Sequence, residues 1–184
     1  MSPVDLERIR KHYESLHDIE LLRTAVLEGG TLVEAAQDVV RDAVLARLGS
    51  AEELVARERA AMGRFWGRIQ QVRTFSRLRG PHEPVLGGRD VSPTDGMILL
   101  TSQGFGFVPT TPPPARELFP ELPEGGPMGA WFAELLEAAK VPEPERDARF
   151  VYRLPLSLRS RLDPTAAWIR LETIARLELR NIDL

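Results

Sequence analysis

Cysteine is absent from this chain, which removes disulfides, thiolate nucleophiles and cysteine metal sites together and fits a reducing compartment. Histidine is scarce, represented by His12, His17 and His82. His12 and His17 are five positions apart, so they fall on different sides of a helix and miss the four-residue spacing of a zinc-binding pair. No metal and no other cofactor is expected. No apolar run approaches the roughly 18 to 20 residues that span a bilayer, and no charged-then-apolar leader opens the sequence. The expectation is a cytoplasmic protein, at most peripherally attached to a membrane.

Catalytic signatures are missing as well. Ser102 neighbours Gly104 without the flanking pattern of a nucleophile elbow. Gly104-Phe105-Gly106 is followed by neither a lysine nor a helix start, so it is no phosphate loop. Glu52-Glu53 lies on a helix start, and Glu143 and Glu145 on a linker, where carboxylates are ordinarily solvated. An enzyme is not expected. A hydrolase using Ser102 or Ser157 is the weakest of the functional readings and would need an oxyanion-lined pocket around one of them.

What is present is an ordinary globular composition, 43% hydrophobic and 28% charged over 184 residues, enough to bury a substantial core. The net charge of −3 is unevenly spread. Within 63–82 stand Arg64, Arg68, Arg73, Arg77 and Arg79 with no acid, one basic island in an otherwise acidic chain. A nucleic-acid partner is not expected, because such binders carry positive charge over a whole face.

The first 49 residues punctuate themselves as three helices. Ser2-Pro3-Val4-Asp5 has the serine, first-turn proline and early acid of a helix start. A second helix opens at 15–18 and stops at Gly29-Gly30. Thr31 to Glu34 reads as a capping box for a third, with Leu32, Ala36, Val39, Val40, Ala43 and Leu48 at helical spacing before Gly49. A helix-turn-helix DNA reader is disfavoured, since its recognition helix would expose Glu34, Asp38 and Asp42 against Arg41 alone.

Ser50 to Glu53 is another capping box. Leu54, Ala61, Met62, Phe65, Ile69, Val72 and Phe75 then fit one stripe at three- and four-residue steps, which predicts a connecting amphipathic helix over 50–79. The alternative is that 69–78 begins a sheet. Arg64, Phe65, Trp66, Arg68, Arg73, Arg77 and Arg79 form the candidate binding set: aromatic rings with arginines suit an anionic lipid surface or a protein partner. The competing reading is a core-packing helix whose arginines reach water or pair with neighbouring acids.

The stretch 96–109, GMILLTSQGFGFVP, predicts a β-hairpin: two apolar runs flank Thr101-Ser102-Gln103-Gly104, with Gly104 taking the positive φ of the turn and Phe105 and Phe107 sharing a core-facing side. A proline-rich connection over 109–127 cannot feed a ladder with donors and should wrap the surface. Met128, Trp131, Phe132, Leu135 and Ala139 then share one helix face, and 142–148 reads as a solvated linker. Alternation of Phe150, Tyr152 and Leu154, and again from Ile169 to Leu179, predicts further strands, with a helix as competitor for the second run. The fold class is α+β: an antiparallel sheet or partly open barrel of at least four or five strands, an N-terminal three-helix segment and covering helices. Its parts are a helical module (1–49), the connecting helix (50–79) and a β domain (80–184) holding an inserted loop and helix (109–140).

Two resemblances follow. Tyr13, Leu16, Glu20-Leu21-Leu22, Leu32, Ala36 and Arg47-Leu48-Gly49 resemble a small helical module at the start of many bacterial proteins, which implies no activity. Asp95 to Thr101 followed by Gly104 to Val108, together with the 168–179 run, resembles bacterial pleckstrin-homology-like and GRAM-like domains. The resemblance implies an adaptor that docks a protein partner or an anionic membrane surface through its β domain. The chain departs from that pattern where the proline loop and helix replace further strands. The alternative function is a structural subunit of a bacterial assembly, and a homo-oligomer is compatible with either.

Overall fold

The computed structural model describes residues 3–74 and 94–174. Four helices come first: α1 (Pro3–Ser15), α2 (Asp18–Leu27), α3 (Glu34–Leu48) and α4 (Ala51–Met62). Strands β1 (Phe65–Thr74), β2 (Thr94–Thr101) and β3 (Gly104–Pro109) follow. Then come α5 (Ala115–Leu118), α6 (Gly126–Ala139), two 3-10 turns (Glu143–Glu145 and Ala148–Arg153), α7 (Leu156–Leu162), β4 (Ala167–Arg170) and a last 3-10 turn (Leu171–Thr173). The fold is α+β, with an open four-stranded antiparallel sheet ordered β1-β2-β3-β4.

The N-terminal helices form where their local signals place them. Gly49 closes α3 at φ +81°, and Ser50 Oγ accepts from the Glu53 N–H while the Glu53 carboxylate accepts from the Ser50 N–H. The cap of α3 is Val33 rather than Thr31, whose hydroxyl donates to the Glu28 carbonyl instead. α2 ends before Gly29, neither Gly29 nor Gly30 has positive φ, and a Cβ on Gly30 would lie 2.7 Å from the Leu122 carbonyl oxygen, so close approach of the proline-rich connection explains that glycine.

The core lies in the helical half. Leu21, Leu22, Val40, Leu54, Trp131 and Leu158 are among its buried residues, and Phe119 and Phe132 pack edge-on against Phe150 at 5.2 and 4.9 Å between ring centres. Among the described residues, no strand residue belongs to this cluster.

Further expectations change. The connecting helix stops at Met62 instead of continuing to 79, and the basic-aromatic segment is strand β1. Gly63, at φ +67°, breaks the helix where Ser102 must approach, since a Cβ there would sit 2.3 Å from Ser102 Oγ. Phe150, Tyr152 and Leu154 lie on or beside a 3-10 turn rather than in a strand; consecutive Phe150 and Val151 are both fully buried, which a strand with one covered face does not permit. Gly104 lacks positive φ. The turn is closed by Thr101, whose Oγ1 accepts from the Gln103 and Gly104 N–H groups and donates to the Gly104 carbonyl. Gly104 is required because a Cβ would lie 2.4 Å from the Ile169 carbonyl oxygen of β4. The hairpin itself stands, pairing Leu100 with Phe105 and Ile98 with Phe107, but neither ring joins the core as expected: Phe107 is buried outside it and Phe105 only half-buried. The alternating run becomes β4 as far as Arg170, and its part from 175 onward lies outside the described residues.

Candidate functional site: an arginine-aromatic strand and the cavity behind it

The structure gathers Arg64, Phe65, Trp66 and Arg68 along the start of β1, all four exposed. Phe65 is 59% exposed, Trp66 65% and Ile69 49%, so three large apolar side chains within five positions stand in water. The corner is held to the hairpin turn by a reciprocal pair: the Arg64 N–H donates to Ser102 Oγ at 2.9 Å, and the Ser102 N–H donates to the Arg64 carbonyl at 2.8 Å. Pairing with β2 shifts register between Phe65 and Gly67 and between Ile69 and Val72. The first shift leaves Trp66 without a partner across the ladder, the arrangement by which an edge strand re-aims a side chain. Arg73 lies opposite Asp95 in the register. Arg77 and Arg79 fall outside the described residues.

The two faces of the sheet differ. Ile69, Ile98 and Phe107 are aligned across β1, β2 and β3 on one face, and Arg68, Leu99 and Gly106 on the other. Between the second face and the helical body lies an open cavity of about 580 Å³. Met62, Met97, Leu99, Val108, Leu154 and Leu156 supply its apolar lining. Gly106 lets α7 approach, for a Cβ there would lie 2.3 Å from Leu156 Cδ2.

The polar lining is cationic: Arg59, Arg153, Arg159 and Tyr152, with no carboxylate among the lining residues. Arg159 is only 7% exposed. Its Nε donates to Asp163 Oδ2 at 3.0 Å, and its guanidinium carbon stands 4.8 Å over the Tyr152 ring. The Tyr152 hydroxyl donates to the Pro113 carbonyl at 2.7 Å, and burial, reinforced by the Asp163 charge and opposed by Arg159, pushes it above its ordinary pKa. Arg153 is paired with Glu145, whose pKa is lowered chiefly by that hydrogen bond. Arg59 donates to the Ala139 carbonyl at 3.1 Å, capping the end of α6.

The remaining candidates are placed apart from one another. Ser102 lies in the β2–β3 turn, where it holds the α4–β1 corner. Ser157 is buried and donates to the Glu58 carbonyl at 3.1 Å, while the buried Glu58 carboxylate pairs with Arg161 at 2.9 Å. His12 and His17 lie at the end of α1 and the cap of α2. Among the described residues, no cluster of histidine, aspartate and glutamate suits a metal ion, and no helix is long and apolar enough to cross a membrane.

Sequence reasoning singled out the basic-aromatic set at 64–68 but expected it on a helix, and it missed the cavity. The available signal was 150–162, which carries Arg153, Arg159 and Arg161 beside Tyr152 with no acid. Comparison with protein-family models, with curated proteins and with solved structures found no match to this chain.

Proposed function

We propose that this chain is a non-enzymatic docking module that receives a protein partner on the side chains of β1, within a β half that is a divergent pleckstrin-homology-like sheet. The observation that carries the reading is the exposure of Phe65 and Trp66 between Arg64 and Arg68, with Ile69 exposed just beyond them on the same strand. Leaving such side chains half in water forgoes part of the about 1.5–3 kcal/mol that full burial of each contributes. Tryptophan and arginine are also the residues that dominate binding energy at interfaces. The partner surface that fits is apolar at its centre with carboxylates at its rim, matching the two guanidiniums. The register shifts disfavour simple addition of a partner strand, so contact runs through side chains. The β2–β3 hairpin, at the residues that carry the resemblance, supports the pleckstrin-homology-like reading.

The same arginine-aromatic composition favours a second reading, attachment to an anionic membrane surface. Affinity capture with the full chain and with a Phe65→Ala/Trp66→Ala/Arg68→Ala variant, followed by reassembly of any complex from purified components, separates the outcomes. A partner that binds the full chain and loses at least about a hundredfold in affinity with the variant is expected. A partner held equally by the variant overturns the docking strand. Co-sedimentation with phosphatidylglycerol vesicles, lost in the variant, would transfer the strand to the membrane reading. Assembly of the purified chain into a defined oligomer, seen by light scattering and unaffected by the substitutions, would favour the structural-subunit alternative.

A further inference from the structure

We infer that the cavity between the sheet and the helical body is a binding site for a small amphipathic carboxylate, an alkyl chain carrying one anionic head. Its volume, about 580 Å³, lies within the range of about 300–1,000 Å³ typical of small-molecule sites. Its lining divides into an apolar surface from Met97, Leu99, Val108 and Leu156 and a guanidinium wall from Arg59, Arg153 and Arg159. That division is the complement of an apolar chain with an anionic head.

The charge balance of the lining selects the head. Arg159 is held by Asp163, with Nε 3.0 Å and Nη2 2.9 Å from Oδ2, and Arg153 by Glu145, so both are fixed in the wall and the direct contact falls to Arg59. Arg59 is exposed and faces a backbone carbonyl, with no carboxylate partner among the described residues. A planar carboxylate accepts two N–H bonds from a guanidinium at once, a match that an alcohol or an uncharged chain does not offer. Arg153, already paired with Glu145, contributes positive field at the cavity rather than the direct contact.

The test is titration calorimetry of the full chain with sub-micellar sodium decanoate, beside 1-decanol and sodium acetate. Saturable binding of one decanoate per chain is expected, with decanol and acetate each weaker by about tenfold or more. Arg59→Gln, at an exposed position that should leave the fold intact by circular dichroism, is expected to weaken decanoate by about tenfold. Leu99→Trp, which fills the cavity from β2, is expected to abolish binding. Trp66→Ala is expected to leave it unchanged. Decanol binding as tightly as decanoate, decanoate binding unaffected by both Arg59→Gln and Leu99→Trp, absence of saturable binding, or loss of binding in Trp66→Ala would each overturn the inference. Failure here leaves the docking strand intact, since the two sites use different residues.

Discussion

Phe150 and Trp66 are both large aromatic residues next to basic neighbours in the sequence, yet Phe150 is 0% exposed and Trp66 is 65% exposed. The helical body surrounds Phe150 with Phe119 and Phe132 and closes over it with side chains from several elements. The sheet offers Trp66 an edge strand, a register shift and no such enclosure. Residue type therefore sets how much apolar surface there is to bury, and position in the fold decides whether it is buried. Stability is concentrated in the helical body. The exposed Phe65 and Trp66 lie in β1, and an open cavity lies where the two regions meet.

Paired substitutions would break this contrast if it is wrong. Phe150→Ala is expected to cost about 3–5 kcal/mol, read as a lowered denaturant midpoint. An unchanged midpoint would mean that the helical body does not hold the stability. Asp163→Ala removes the carboxylate from the buried Arg159 guanidinium, and breaking such a pair is expected to cost about 3–5 kcal/mol. Gly106→Ala forces a Cβ to 2.3 Å from Leu156 and 2.8 Å from the Ala167 carbonyl oxygen. That crowding should cost about 1–3 kcal/mol, with amide exchange accelerating in β3 and β4 before it does in α3 and α6. Trp66→Ala is expected to shift stability by no more than about 0.5 kcal/mol while removing partner binding. A large loss of stability there would show that the ring packs in the folded chain.

The smallest effect concerns acid. Glu53, Glu145 and Asp147 each have a folded pKa held below the ordinary 4.5, 4.5 and 3.8, through hydrogen bonds from the Ser50 backbone, Arg153 and Arg149 respectively. Because the folded values are depressed, their contribution is complete above those ordinary values and fades as pH falls through the lowered ones. All three lie outside the sheet, Glu53 and Asp147 exposed and Glu145 half-buried, so a modest decline in melting temperature is expected below about pH 4.5, with a plateau above it. A decline beginning near neutrality would implicate other groups.

The elements most legible in the sequence are those whose causes are local. Ser50 and Glu53 cap α4 from three positions apart, and α6 buries the Met128, Trp131, Phe132, Leu135 and Ala139 face its spacing describes. The hairpin was legible because two apolar runs flank a short polar turn, although the device closing it is the Thr101 hydroxyl rather than a left-handed glycine. The end of α4 was less so, because the stripe through Phe65 and Ile69 fits helical spacing as well as it fits a strand. The cavity was not legible at all: Arg59, Leu99, Tyr152 and Arg159 come from four separate elements.

By itself, then, the sequence determined the α+β class, the glycine that closes α3 and the capping box that opens α4, the position of the hairpin and the basic-aromatic character of 64–68, all of which depend on residues within a few positions of one another. The tertiary structure decided that the core belongs to the helices, that Gly63 turns the chain into β1, and that Arg59 meets the polar side chains of 152–159 beside an apolar cleft. Those outcomes depend on contacts between residues tens of positions apart, and no local pattern encodes them.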